Sequence, residues 1–126
     1  MITVIFIGIG GFLGSIFRYG LTKWVDELIK HQSFPSGTVA VNVLGCLVIG
    51  IAIAFFESRQ ILNSNLRSLI IIGILGGFTT FSTFSLQNFE LMKNGESLEA
   101  LANIGLSICL GLTAVYVGYA ITSKLT

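Results

Sequence analysis

Charged residues are absent from four long stretches of the chain, and these stretches dominate its hydrophobic pattern. The uncharged intervals run over Met1–Phe17, Gln32–Phe56, Ser68–Phe89 and Ala100–Ser123. A helix that crosses a bilayer needs about 20 mostly apolar residues, and the first interval reaches that length when it continues past Arg18 to Trp24. The pattern therefore predicts a single all-α transmembrane domain over residues 1–126, with four membrane-spanning helices at about 2–24, 36–56, 67–91 and 98–122.

Composition agrees with a protein that lies in lipid. Of 126 residues, 53% are hydrophobic and only 10% are charged, whereas soluble domains carry about 25% charged residues. The net charge of +1 excludes a nucleic-acid binder built on a basic face. Two cysteines give neither a disulfide framework nor metal-ligand spacing, and the single histidine, His31, has no catalytic partner that the sequence identifies. An enzyme is therefore not expected.

Basic residues are shared almost evenly between the two sides of the membrane. With four crossings, three basic residues lie on the side of both termini: Arg59, Arg67 and Lys124. Three lie on the other side, Lys23, Lys30 and Lys93, and Arg18 lies near that side. Orientation follows an excess of Lys and Arg in cytoplasmic loops, so this balance favours insertion in both directions. Oppositely inserted copies can pair as an antiparallel dual-topology homodimer. The alternative is a single topology that folding determines.

Polar groups within the four intervals are neutral. No carboxylate lies inside them, and Glu90 only closes the third. Thr38 and Asn42 are four residues apart on the second helix, as are Asn103 and Ser107 on the fourth, so each pair shares a helix face. Amides and hydroxyls in lipid form interhelical hydrogen bonds or line a polar pathway. Both interpretations remain open from the sequence.

The third interval contains a segment that is unfavourable for a helix. Its apolar beginning is followed by GGFTTFSTFS, from Gly76 to Ser85. Glycine loses entropy in a helix and threonine competes for backbone hydrogen bonds, so we predict a break near residues 76–80. Unwound backbone at membrane depth is tolerated where it is buried or lines a cavity. Phe81 and Phe84 follow the break, and such a pair either packs in a core or presents ring edges, which carry positive partial charge, to an anion.

Three segments of the chain resemble a known family in order and spacing. They are GGFLGSIFRY from Gly10, GTVAVNVLG from Gly37 and GGFTTFSTF from Gly76, and they are similar to the signatures of the Fluc (CrcB) fluoride channels. The resemblance implies a passive, fluoride-selective channel in the bacterial cytoplasmic (inner) membrane, which exports fluoride and relieves its toxicity. It also implies an antiparallel dual-topology homodimer.

The resemblance assigns roles to particular residues. It implies a structural sodium ion at the dimer axis, held by the backbone carbonyls of Gly76 and Thr79. It implies a fluoride pathway that contains Asn42, Phe81, Phe84, Ser107, Thr38, Thr83 and Arg18. Arg18 either draws anions toward the pathway or extends to the membrane interface. Gln87 departs from the glutamate that many members carry; if that carboxylate contributes to conduction in them, the neutral amide changes the rate here.

Two other functions are compatible with four membrane helices. A proton-coupled exporter of the small multidrug type needs a carboxylate within a span, and Glu90 is the nearest candidate. A membrane assembly subunit that transports nothing would use its amides and hydroxyls only for interhelical hydrogen bonds.

Overall fold

Four helical spans make up most of the part of the chain that the structure describes. The computed structural model describes residues 1–30, 33–61 and 63–126, so His31 lies outside the described residues. The first helix is Ile2–Ile29, the second Ser36–Ser58 and the fourth Ser97–Leu125, while the third span covers Ser64–Lys93. All four are long and apolar enough to cross a membrane. The prediction of an all-helical, multi-pass membrane protein is therefore confirmed.

Glycines allow the helices to approach each other closely in two pairs. The second helix packs along the fourth, and the first packs along the beginning of the third span. A Cβ atom on Gly118 would lie 2.5 Å from the carbonyl oxygen of Leu47, and one on Gly10 would lie 2.8 Å from Cα of Gly73. No larger residue fits at these positions without separating the helices, as is typical of membrane helix packing.

Side-chain hydrogen bonds hold the connection between the first and second helices. Asp26 Oδ1 accepts from the backbone N–H of Gly37 at 2.7 Å and from the hydroxyl of Ser36 at 3.1 Å. The first turn of a helix has N–H groups without partners in the helix, and a carboxylate there also interacts favourably with the helix dipole. Asp26 thus fixes where the second helix begins relative to the end of the first.

The third span changes its backbone conformation four times. Ser64–Arg67 is α-helical, Ser68–Leu75 is a π-helix, and Gly76–Phe78 is α-helical again. Thr79 and Thr80 then have extended backbones, with φ of −108° and −132° and ψ of 129° for both. β-Branched residues favour this conformation. A second α-helix, Phe81–Lys93, follows directly, so two extended residues separate the helical parts of this span.

Candidate functional site

A cavity of about 400 Å³ lies between the second helix, the third span and the fourth helix. We call it the aromatic cavity because the rings of Phe81 and Phe84 form part of its wall. The remaining wall is mostly apolar, with Asn42, Ser107 and the Thr79–Thr80 pair as its polar groups. None of the side chains that line this cavity carries a formal charge.

A second cavity, of about 410 Å³, lies between the first and second helices and the third span. We call it the basic cavity because Arg18 and Lys23 line it with a single acid, Asp26. Asp26 Oδ1 already accepts two hydrogen bonds from the start of the second helix. The hydroxyls of Thr38 and Thr83 also line this cavity. The arrangement provides positive charge and hydroxyl groups, a combination that suits an anion.

Asn42 and Thr80 line both cavities and therefore lie where the two meet. Thr80 Oγ1 accepts a hydrogen bond from Arg18 Nη1 at 2.8 Å and donates one to Thr83 Oγ1 at 2.7 Å. The half-buried Arg18 side chain thus binds the extended segment of the third span rather than reaching only toward the membrane interface. Arg18 therefore holds a positive charge beside the junction, the place at Asn42 and Thr80 where the basic cavity meets the uncharged aromatic cavity.

A chain of hydrogen bonds leads away from Asn42 into the packed region between the fourth helix and Phe81–Lys93. Asn42 Nδ2 donates to Ser107 Oγ at 3.4 Å, and Ser107 Oγ donates to Asn103 Oδ1 at 3.3 Å. Asn103 Nδ2 donates to Asn88 Oδ1 at 3.0 Å, and Asn88 Nδ2 donates to the carbonyl oxygen of Phe84 at 2.8 Å. Asn103 is fully buried and Asn88 is 4% exposed. Burial of these amides is tolerated because each has partners.

The two phenylalanines contact each other just after the extended residues Thr79 and Thr80. Their ring centroids are 5.9 Å apart, and the ring planes are inclined by 37°. Phe84 is half-buried, whereas 80% of the Phe81 surface is exposed. Within one chain, therefore, Phe81 forms the rim of the aromatic cavity and is not a core residue.

Gly76 and Thr79 lie on the wall of the aromatic cavity. Thr79 begins the extended segment, so its own carbonyl does not continue the helix. A Cβ atom on Gly76 would meet only the Ile71 carbonyl oxygen, at 3.9 Å, which leaves open space beside this backbone. Among the described residues, no group of three or more His, Cys, Asp or Glu side chains could hold a metal ion.

The structure distributes the site residues named from the sequence over the two cavities. Those in the aromatic cavity are Asn42, Phe81, Phe84, Ser107, Gly76 and Thr79, and those in the basic cavity are Arg18, Thr38 and Thr83, with Asn42 shared. Gln87 lines neither, and its Oε1 atom is buried without a hydrogen-bond partner.

Sequence reasoning missed two residues of the site, Thr80 and Asn88. Thr80 lies within the GGFTTFSTF motif, next to the predicted break, and this position could have identified it as a site residue. Asn88 follows Phe84 by four residues and therefore shares its helix face, which is the signal that could have identified it. Its pairing with Asn103 requires knowledge of how Phe81–Lys93 packs against the fourth helix.

Comparison with known proteins gives one consistent result. The sequence profile of the family described as CrcB-like protein, Camphor Resistance (CrcB), matches residues 5–119. A protein of Geotalea daltonii named fluoride-specific ion channel FluC is 43% identical over 95% of this chain and 96% of its own length. A Rhizobium etli protein of the same name is 41% identical over 99% of both chains. Because the profile and both relatives span nearly the whole sequence, this four-helix membrane protein belongs to the CrcB family of ion channels.

Proposed function

We propose that this protein is a passive channel that conducts fluoride out of the cytoplasm. The relatives described above are named for that activity, and the two joined cavities contain groups that suit a small anion. Fluoride enters cells as its neutral weak acid and ionises in a near-neutral cytoplasm. Passive exit of the anion then suffices to relieve toxicity, and no pump is required. The proposed location is the bacterial cytoplasmic membrane, which four apolar spans fit.

The observation that carries the proposal is the junction of a charged cavity with an uncharged one at Asn42 and Thr80. Arg18 and Lys23 attract the anion to the basic cavity, with Thr38 and Thr83 as hydrogen-bond donors. Asn42 passes it to the aromatic cavity, which Ser107 also lines, and there an N–H group of Asn42 and the ring edges of Phe81 and Phe84 replace its water. Conduction requires binding that is strong enough for entry and weak enough for exit, and a wall without fixed charge satisfies the second condition.

The active unit in this proposal is an antiparallel dual-topology homodimer. The almost even distribution of basic residues between the two sides supports it. The 80% exposure of Phe81 supports it as well, since this ring belongs to the proposed pathway but is left uncovered by its own chain. A second copy would cover the ring and complete the pathway.

A structural sodium ion at the dimer axis is a further part of the proposal. Sodium in membrane proteins is bound by carbonyls of unwound backbone, and Gly76 and Thr79 would provide such oxygens from each copy. The open space beside Gly76 and the extended conformation of Thr79 fit this role. The ion would fix the two breaks against each other, and no conduction step passes through it.

The proton-coupled exporter finds no support. Glu90 is exposed and lines neither cavity, whereas an exporter of that type would need this carboxylate within the transport path.

A flux assay on the purified protein tests the proposed function. Liposomes that contain the protein are loaded with potassium fluoride, and a potassium ionophore is added so that anions can leave without building up a membrane potential. We expect rapid fluoride release, and no release from matched liposomes loaded with potassium chloride or from liposomes without protein. Absence of fluoride release from protein that is folded and inserted would refute the proposal.

A further inference from the structure

The hydrogen-bond chain from Asn42 to the carbonyl of Phe84 has only one possible direction, and its inner end determines that direction. A backbone carbonyl oxygen can only accept, so the group that faces it on Asn88, 2.8 Å away, must be the Nδ2 donor. Asn88 consequently presents its Oδ1 acceptor to the fourth helix. Asn103 must then donate through Nδ2 at 3.0 Å. The orientations of both amides follow from this one carbonyl.

The same reasoning extends to the proposed pathway. With Asn103 Nδ2 engaged, its Oδ1 faces Ser107, which uses its only proton to donate at 3.3 Å. Ser107 Oγ then has only lone pairs to offer, so Asn42 contacts it with an N–H group, at 3.4 Å. An amide nitrogen carries two protons, and the second N–H of Asn42 remains for the cavities that this residue lines. In a reversed chain, Asn42 would contact Ser107 through Oδ1 instead, so the direction of the chain fixes the orientation of the Asn42 amide.

We infer that Asn88 and Asn103 are positioning residues, which act through Ser107 to hold the side-chain amide of Asn42 in one orientation, with one N–H on Ser107 and the other left for the anion. Neither residue lines either cavity, and both are buried, so neither contacts an anion in the cavities directly. The inference rests on the proposed function for the identity of the anion, fluoride.

An isosteric pair of substitutions at Asn88 tests the direction of the chain. Asn88→Val removes both hydrogen-bonding groups, and we expect it to slow fluoride efflux from liposomes about fivefold, the factor that corresponds to one net hydrogen bond. Asn88→Thr has the same shape as the valine variant but keeps a hydroxyl. That hydroxyl can donate to the carbonyl four residues earlier and accept from Asn103, so this variant should conduct faster than Asn88→Val. Asn94→Val, at an exposed helix end, is the matched control and should conduct normally.

A double-mutant cycle separates positioning from a general loss of stability. Ser107→Ala interrupts the chain between Asn103 and Asn42, so Asn88→Val should cause no further slowing in that background. The inference is overturned if Asn88→Val slows efflux by the same factor in both backgrounds, or if the valine and threonine variants conduct equally. All rates are normalised to folded protein measured by size-exclusion chromatography. Should Asn88→Val not be recovered in folded form, Asn103→Leu breaks the chain at its next member and enters the same cycle.

A second measurement does not depend on conduction. The side-chain amide NMR signals of Asn42 should shift in Asn88→Val and remain in place in Asn94→Val. Unchanged Asn42 signals in Asn88→Val would overturn the inference even if conduction slows. If the wild-type protein released no fluoride, the proposed function would fail, whereas these signals would still decide whether Asn88 orients Asn42.

Discussion

Replacing Asn42 with aspartate places a negative charge where the two cavities meet, with almost no change in side-chain size. Asn42 lines both cavities, so an anion that passes between them must contact its side chain. Two unit charges about 4 Å apart repel each other by about 4 kcal/mol at an effective dielectric constant of about 20. Each 1.4 kcal/mol corresponds to about a factor of ten. We therefore expect fluoride flux through Asn42→Asp to fall by roughly a thousandfold.

The flux assay in liposomes measures this effect, and two further variants show whether charge is its cause. Asn42→Ala removes the amide without adding charge and should slow flux only about fivefold, as expected for one lost hydrogen bond. Asn94→Asp makes the same chemical change at an exposed helix end outside both cavities and should leave flux unchanged. Size-exclusion chromatography verifies that each variant assembles as the wild type does.

Wild-type flux in a folded Asn42→Asp variant would refute the reasoning, because no anion could pass a carboxylate at the junction without a cost. Equal slowing by Asn42→Asp and Asn42→Ala would also contradict it, since the amide donor and not the charge would then account for the whole effect.

The remaining predictions concern the aromatic wall, the helix packing and the carboxylate at the end of the third span. Phe81→Ile should slow fluoride flux while the protein stays assembled, because the exposed ring rests on Phe84 and contributes little to the core of one chain; unchanged flux would remove this ring from the pathway. Gly118→Ala should lower the free energy of unfolding by about 1–3 kcal/mol through overpacking, since its Cβ would lie 2.5 Å from a carbonyl oxygen. Gly105→Ala should leave the free energy of unfolding unchanged, because a Cβ there meets nothing within 4 Å. Thermal unfolding in detergent compares the stability of the two variants. Glu90→Gln should conduct fluoride normally. Loss of flux in this variant would instead support the proton-coupled exporter.

In the proposed channel, conduction depends on a wholly neutral wall placed next to a small number of charges. Arg18 is tied to Thr80 by a 2.8 Å hydrogen bond, so its charge stays at the entrance to the junction. If the guanidinium lined the aromatic cavity itself, a fluoride ion there would be bound too tightly to leave quickly. The sequence of charge first and neutral donors afterwards is thus consistent with rapid passage.

Much of the candidate site was accessible from the sequence because it lies in short, local motifs. The GGFTTFSTF run brings Gly76, Thr79, Phe81 and Phe84 together over fewer than ten residues, and all four line one cavity. Spacing of four residues placed Asn42 beside Thr38, and both line the basic cavity, but only Asn42 also reaches the aromatic cavity. Helical periodicity determines which residues share a face but does not determine which neighbour the face meets.

The sequence by itself determined the class of the protein, its four spans and the position of the weakest helical segment. These properties are local or additive: hydropathy sums over about 20 residues, and glycine and threonine disfavour a helix wherever they occur. Only the tertiary structure decided that Arg18 binds Thr80, 62 residues away, and that Asn103 bonds to Asn88. The first pair forms where Gly10 lets the first helix approach the third span closely, and the second forms where Phe81–Lys93 packs against the fourth helix. Hydrogen-bond direction is then set by whichever donors and acceptors the packing brings together.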